Sequence, residues 1–259
     1  MSLKRSETYR ATGFVLRRRD LGEADRIVTL YTREHGKRRA VAKGVRKQQS
    51  RLAGHIELFT KVDVYLAVGA NLDVLTQAEA LTTYPELAGD LERFAQASWA
   101  GETLDRLTPE SEADGYMFDL FGVALAAIAT AERPGLHLRQ FELQALTRAG
   151  YRPHLEVCVE CGEALGEVTN RFAPLAGGVV CPSCRTEGMS LPVTPRALKS
   201  LRWLLGADPG SAGRLKTDPE LERELEDLLK AYVTAVLGAE SRSAKLLDRV
   251  RLPKADLSE

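Results

Sequence analysis

The chain has 259 residues, with 36 Lys/Arg against 36 Asp/Glu, 28% charged and 44% hydrophobic side chains. That is an ordinary globular balance, long enough for one to three domains, and it excludes a fibrous or low-complexity protein. No apolar run approaches the roughly 20 residues that span a bilayer, and Met1 to Glu7 hold no apolar signal core, so a cytoplasmic protein with reduced thiols and no membrane partner is expected.

The zero net charge conceals segregation: residues 1–80 carry +7, residues 81–150 carry −6 and the remainder −1. Such asymmetry marks a polyanion-binding end. The competing explanation is that the basic N-terminal part docks on the acidic middle.

In chain order, the first 80 residues read as strands. Arg10–Arg18, Asp25–Arg33 and Lys37–Val45 are short extended runs, with His35-Gly36 as the hairpin link between the last two. Across Ile56–Val68, the apolar residues Val62, Val64, Leu66 and Val68 alternate with Lys61, Asp63, Tyr65 and Ala67, which puts one row in a core. Leu72–Glu79 follows a Gly-Ala-Asn turn. Five short strands in this span suit a small barrel of the OB-fold type; an SH3-like barrel has a similar pattern. At Pro85 the period becomes helical. Helices are expected around Leu87–Leu104, over Tyr116–Glu132 until Pro134-Gly135 stops it, and over Leu136–Ala149 with Gly150 past its end. Residues 151–190 are irregular, with a short hairpin across Glu167–Pro174 and Gly178–Val180. Thr194-Pro195 opens a helix to Leu205. Thr217-Asp218-Pro219-Glu220 reads as a capping box before a helix to Leu237, and a last helix spans Ser243–Val250 before a polar tail.

The fold expected is therefore α+β multidomain: an N-terminal OB-fold β-barrel and a mostly α-helical remainder with a four-cysteine zinc-finger insertion. The boundaries expected are 1–80 for the OB-fold, 81–150 for the first helical part, 151–190 for the cysteine module and 191–259 for the C-terminal helical part.

All four cysteines lie in the irregular segment, as Cys158-x2-Cys161 and Cys181-x2-Cys184. Two C-x2-C turns at this separation match a zinc ribbon or treble clef. Each turn aims two sulfurs at one point, and Zn²⁺ takes four ligands tetrahedrally. A full thiolate shell leaves no open position for water or substrate, so the ion would be structural. A disulfide framework and a 2Fe–2S cluster are the rival readings; redox C-x-x-C chemistry would need a βαβ context that is not apparent.

Between Lys37 and Arg51 stand Lys37, Arg38, Arg39, Lys43, Arg46, Lys47 and Arg51, and no acidic residue occurs from Gly36 to Gly54. Lys and Arg bind phosphates through counterion release, without sequence preference. Arg17, Arg18 and Arg19 add a second cluster. Aromatic residues for base stacking are few: Phe14, Tyr31, Phe59 and Tyr65. No P-loop, HExxH or GxSxG pattern occurs, and the four histidines are scattered, so no enzyme activity is expected.

These residues resemble the RecO family of recombination mediators. The likeness is carried by Glu23-Ala24-Asp25-Arg26-Ile27-Val28-Thr29-Leu30-Tyr31-Thr32-Arg33-Glu34-His35-Gly36, by Ala40-Val41-Ala42-Lys43-Gly44-Val45-Arg46, by Ser50-Arg51-Leu52-Ala53-Gly54 and by Leu75-Thr76-Gln77-Ala78-Glu79. Gly150-Tyr151-Arg152-Pro153, leading into the first cysteine pair, and the less specific Arg242-Ser243-Ala244-Lys245-Leu246-Leu247 extend it. The resemblance implies an OB-fold, a helical domain and a zinc-finger-like insertion. It implies binding of single- and double-stranded DNA, strand annealing, and help in loading RecA on gaps coated with single-strand-binding protein, with RecR as partner. An Arg-Ser pair stands where the family has Lys-Ser. An RNA-binding OB and zinc-ribbon module is the alternative function, and a zinc hydrolase a third.

Overall fold

The computed structural model describes residues 7–238 and 241–251. The N-terminal stretch read for a signal and the polar tail both fall largely outside them. The chain forms two compact units: one takes the chain up to Pro85 together with Thr108–Asp119, the other Glu86–Leu107 and the chain from Leu120 on.

In the first unit, β1 (Thr8–Leu21), β2 (Asp25–Thr32), β3 (Gly36–Ala42), β4 (Lys61–Ala67) and β5 (Asp73–Thr82) close a barrel in the order β1-β2-β3-β5-β4. The long first strand closes it by pairing twice. Its first half lies antiparallel to β4 and its second half to β2, with an irregularity between Val15 and Arg17. The third and fifth strands meet in parallel, at Ala40–Asp73 and Val41–Val74 only. This Greek-key closure is the OB-fold order and sets aside the SH3-like alternative. The interior is filled by Val15, Val28, Leu30, Ala40, Val62, Val64, Leu66 and Leu75, with Val45 and Ile56 contributed by the β3–β4 connection. The alternation read in the sequence holds for Val62, Val64 and Leu66. Val68 lies past the end of β4 and is 48% exposed. The fourth strand begins at Lys61, not Ile56, because Phe59 adopts a positive φ of 65° and its N–H bonds the Val15 carbonyl, breaking the extended run.

The second unit is helical: α1 (Pro85–Gly89), α2 (Leu91–Leu107), α3 (Gly115–Thr130), α4 (Pro134–Arg148), α5 (Pro195–Gly206), α6 (Pro219–Leu237) and α7 (Arg242–Arg251), with α1 and α3 each beginning in the first unit. The single helix expected at 87–104 is two. Asp90 interrupts it, its Oδ1 accepting from the N–H groups of Glu92 and Arg93 as an N-cap does. Pro134 does not separate two helices; it opens α4 at the first turn, where its missing N–H costs nothing. Thr194 caps α5 as expected, accepting from Ala197 N–H at 3.1 Å. At α6 the cap is Asp218, one residue later than the Thr217 of the expected box; Asp218 accepts from Leu221 N–H at 2.9 Å, while the Thr217 hydroxyl donates to Glu222. Between α4 and α5 lies a small sheet, β7-β6-β8, of β6 (Asn170–Ala173), β7 (Gly178–Val180) and β8 (Leu191–Val193). The 170–180 hairpin was legible in the sequence; the third strand was not.

α4 is buried on nearly every side, from Leu136 to Leu146, despite its polar residues. Those residues hold a neighbouring loop. Gln140 donates to the Asp208 carbonyl at 2.9 Å and accepts from the N–H groups of Gly210 and Ala212, and Gln144 donates to the Ala207 carbonyl at 2.7 Å.

Candidate metal centre and nucleic-acid interface

The two cysteine turns come together in the second unit. All four sulfurs lie within 4.8 Å of one another, and the Cys161 and Cys181 sulfurs are 4.0 Å apart. Metal–sulfur bonds of about 2.3 Å in a tetrahedron require sulfur–sulfur edges of about 3.8 Å, so the cluster is compatible with one zinc ion. The four thiols are free, and this spacing is far wider than a disulfide bond.

Local backbone chemistry builds each turn. Gly162 takes a positive φ of 77° while its N–H bonds the Cys158 carbonyl, and Cys184 N–H bonds the Cys181 carbonyl. The hairpin joins the turns: Val159 N–H bonds the Val179 carbonyl, and Cys181 N–H points at the Cys158 sulfur at 3.3 Å. Arg171, on β6, donates to the Cys184 and Cys181 carbonyls from behind. Its position between the cysteine pairs was the signal available in the sequence. Burial pushes the Cys158 thiol up, but N–H donors of Cys181, Cys161 and Glu160 hold it at about 6. Hydrogen bonding with the Cys181 and Cys161 thiols pushes Cys184 up to about 12. Thiols this crowded resist joint ionisation, and a dication among them removes that cost.

The basic residues of the first unit do not form one uniform patch. Lys37 and Arg39 stand on the outer side of β3. Lys37 donates to the Thr108 carbonyl at 3.0 Å, and Arg39 pairs with Glu110 at 2.5 Å. Arg38 faces the other way, opposite the buried Leu30. Its guanidinium stands 5.8 Å from the Tyr9 ring centre, and its buried Nε has no hydrogen-bond partner among the described residues. The remaining four lie on the β3–β4 connection. Gly44 N–H bonds Asp25 Oδ1 at 2.7 Å and Arg46 N–H bonds the Ala24 carbonyl, which fastens this connection to the β1–β2 turn. Arg46 also reaches the Gly22 carbonyl and Asp20. Lys43, Lys47 and Arg51 are exposed and, among the described residues, make no ion pair. Of the second cluster, Arg18 pairs with Glu57.

The acidic middle does dock, in part, on the basic segment. Thr108–Asp119 belongs to the barrel unit, and through Glu110 and Asp119 it neutralises Arg39 and Arg33. Reading single residues missed this pairing; the charge reversal near residue 81 was its only sequence trace. The stacking candidates are largely spent on packing: Phe14, Tyr31 and Phe59 are buried, and Tyr65 is 41% exposed beneath the Arg10 guanidinium. Among the described residues, no helix is long and apolar enough to cross a membrane.

Comparison with known proteins agrees with this architecture. Residues 5–84 match the family model described as Recombination protein O N terminal, and residues 88–245 the one described as Recombination protein O C terminal. The chain is 42% identical to the DNA repair protein RecO of Roseiflexus sp. (strain RS-1), over 95% of this chain and 87% of the relative. It is 40% identical to that of Nocardioides sp., covering 93% and 99%, and 37% identical to that of Symbiobacterium thermophilum, covering 94% and 98%. With both halves matched and such relatives aligned almost end to end, the chain belongs to the recombination protein O (RecO) family.

Proposed function

We propose that this chain is a non-catalytic DNA-binding protein of recombinational repair, working at the nucleoid in the cytoplasm. It holds single- and double-stranded DNA by the phosphate backbone and anneals strands. Together with RecR it assists RecA loading on gaps coated with single-strand-binding protein. One zinc ion, held by Cys158, Cys161, Cys181 and Cys184, cross-links its helical unit and takes no part in chemistry.

The observation that carries the DNA-binding reading is the β3–β4 connection. Lys43, Lys47 and Arg51 stand exposed there without carboxylate partners among the described residues, fastened against the β1–β2 turn. Arg46, on the same connection, is assigned to this surface; Lys37 and Arg39, engaged by Thr108 and Glu110, are further cations proposed for DNA contact beside it, and Arg38 is assigned to the barrel's own packing. Annealing requires two strands to be held without their bases being occupied. A cationic surface poor in exposed aromatic faces suits that task, because its contacts are to phosphate and carry no base preference.

The test is the full chain with Lys43, Lys47 and Arg51 changed together to Glu. Binding to single- and double-stranded DNA of any sequence should weaken. For single strands, the plot of log K against log salt should flatten by about 2, roughly 0.7 for each lost phosphate contact. Unchanged affinity and slope would move the site elsewhere. Competition between DNA and RNA oligonucleotides at one salt concentration separates the RNA-binding alternative, and pull-down of RecR with annealing measured on the same preparation tests the mediator role.

A further inference from the structure

The parallel seam of the barrel is short. β5 reaches β3 only at Ala40 and Val41, leaving the edge of β3 from Gly36 to Arg39 without a strand neighbour on that side among the described residues. Residues 108–114 fill that place. Glu110 bridges to Lys37 in parallel, and Ser111 N–H bonds the Lys37 carbonyl at 3.2 Å. The contact is close: a Cβ on Gly36 would meet the Glu112 carbonyl oxygen at 2.1 Å. The segment is acidic, with Glu110, Glu112 and Asp114 within it, and it lies along the β3 edge, beside the strand 2–3 face that OB-folds use for oligonucleotides.

Its two ends are held differently. The C-terminal end is anchored by packing, since Phe118 is buried with its ring 4.8 Å from Phe14 and 6.5 Å from Tyr31. The stretch before it is held at its start by the buried Thr108, and beyond that by the exposed Arg39–Glu110 pair, with side chains 52% and 58% exposed, and by hydrogen bonds that include those at Lys37 and Ser111. Exposed ion pairs contribute little and are screened by salt. Ser111 holds a φ of 65°, a costly conformation for a residue other than glycine. A phosphodiester chain offers Arg39 and Lys37 the same kind of oxygen ligand that Glu110 and the Thr108 carbonyl supply, and releases counterions as it binds.

We propose that Thr108–Asp114 is an acidic strap that competes with the DNA backbone for Arg39 and Lys37, so that the β3 edge joins the binding surface only when nucleic acid displaces it. This rests on the reading that the cations of the β3–β4 connection bind DNA. Those cations would make the first contact, and the strap would set how much further surface a strand gains.

Two measurements on the full chain test it. In the first, a single-stranded oligonucleotide is titrated across a salt series against wild type, Glu110→Gln and, as a control of equal charge on the same segment, Glu112→Gln. Glu110→Gln should bind severalfold more tightly, with a salt slope steeper by about 0.7–1.4, for one or two added phosphate contacts; Glu112→Gln should match wild type. Equal effects of the two variants, or none, would overturn the strap. In the second, amide hydrogen exchange of the wild type is followed, which needs no variant to fold. The Ser111 N–H should lose protection when the oligonucleotide is added, and unchanged protection overturns displacement even if Glu110→Gln binds more tightly. Failure of wild type to bind DNA in a salt-dependent way would instead remove the underlying function, so the two failures are distinguishable.

Discussion

Arg139 Nε lies 3.1 Å from Glu142 Oε2, and both side chains are shut off from solvent, at 3% and 0% exposure. The Trp99 indole N–H donates to the other carboxylate oxygen, and Arg139 also reaches the Glu226 carbonyl at 3.4 Å. Burial lowers the Arg139 pKa below its ordinary value, and the Glu142 and Asp227 carboxylates offset that only in part. Changing Glu142 to Gln keeps an acceptor for Trp99 but strands the guanidinium. Urea unfolding of the full chain should show a loss of about 3–5 kcal/mol, whereas replacing both partners with apolar residues of similar volume should cost much less. Equal losses for the single and double changes would contradict the pairing.

His137, on the same helix, gives a pH dependence. It is buried, its Nδ1 has no partner among the described residues, and burial together with the nearby Arg133 depresses its pKa below the ordinary value. The unfolded chain therefore binds this proton more readily than the folded one. Its contribution to stability is full above about pH 6.5 and is lost as pH falls from there through the lower folded pKa. The melting temperature of the wild type should drop over that window, and the His137→Gln variant should be flatter there. Parallel profiles would count against it.

One zinc per chain is expected on metal analysis. A chelator should lower the melting of the helical unit before that of the barrel, because the ion would be the one cross-link between the two turns besides the chain and hydrogen bonds of the hairpin. Cys158→Ser should do the same, since it places a poor ligand at the most buried corner of the site. If chelation removes DNA binding while the fold persists, the cysteine module is itself a contact surface.

Arg38 and Lys47 are both basic residues of one sequence cluster, yet opposite outcomes are expected. Arg38 packs over Tyr9, whose hydroxyl donates to Asp73 at 2.5 Å. Arg38→Met should lower the stability of the barrel and leave the salt slope of DNA binding as it was. Lys47→Glu should flatten the slope and leave melting unchanged. A shared effect of the two on the slope would return Arg38 to the DNA surface.

The four-cysteine cluster was readable because such a cluster is a local device. Each C-x2-C turn aims its own sulfurs, and the sequence separation leaves room for one hairpin between the pairs. The barrel was readable for a related reason: alternation at Val62, Val64 and Leu66 is imposed by one wet and one dry face. The helix boundaries at Asp90 and Pro134 were misplaced because a cap and a first-turn proline are recognised by backbone geometry, and an apolar period runs through both positions unmarked. α4 was read close to its observed span; its burial on nearly every side, with Gln140, Glu142 and Gln144 inside, was not legible, since no local pattern marks those polar residues as buried.

The sequence by itself determined that four thiols would gather, that a barrel would precede helices, and that the positive charge would lie on that barrel. Those follow from spacing, period and count, which are local properties of the chain. Only the tertiary structure decided which charges are available. Arg38 turns inward because side chains alternate along β3, Arg39 meets Glu110 because the short β5 seam leaves an edge for a distant acidic segment to occupy, and Lys43, Lys47 and Arg51 remain exposed because no acidic residue stands near them in sequence, from Gly36 to Gly54, and Glu57, further along the connection, is taken by Arg18. A charge in sequence is a fixed quantity, but its availability to a phosphate depends on which neighbour arrives first.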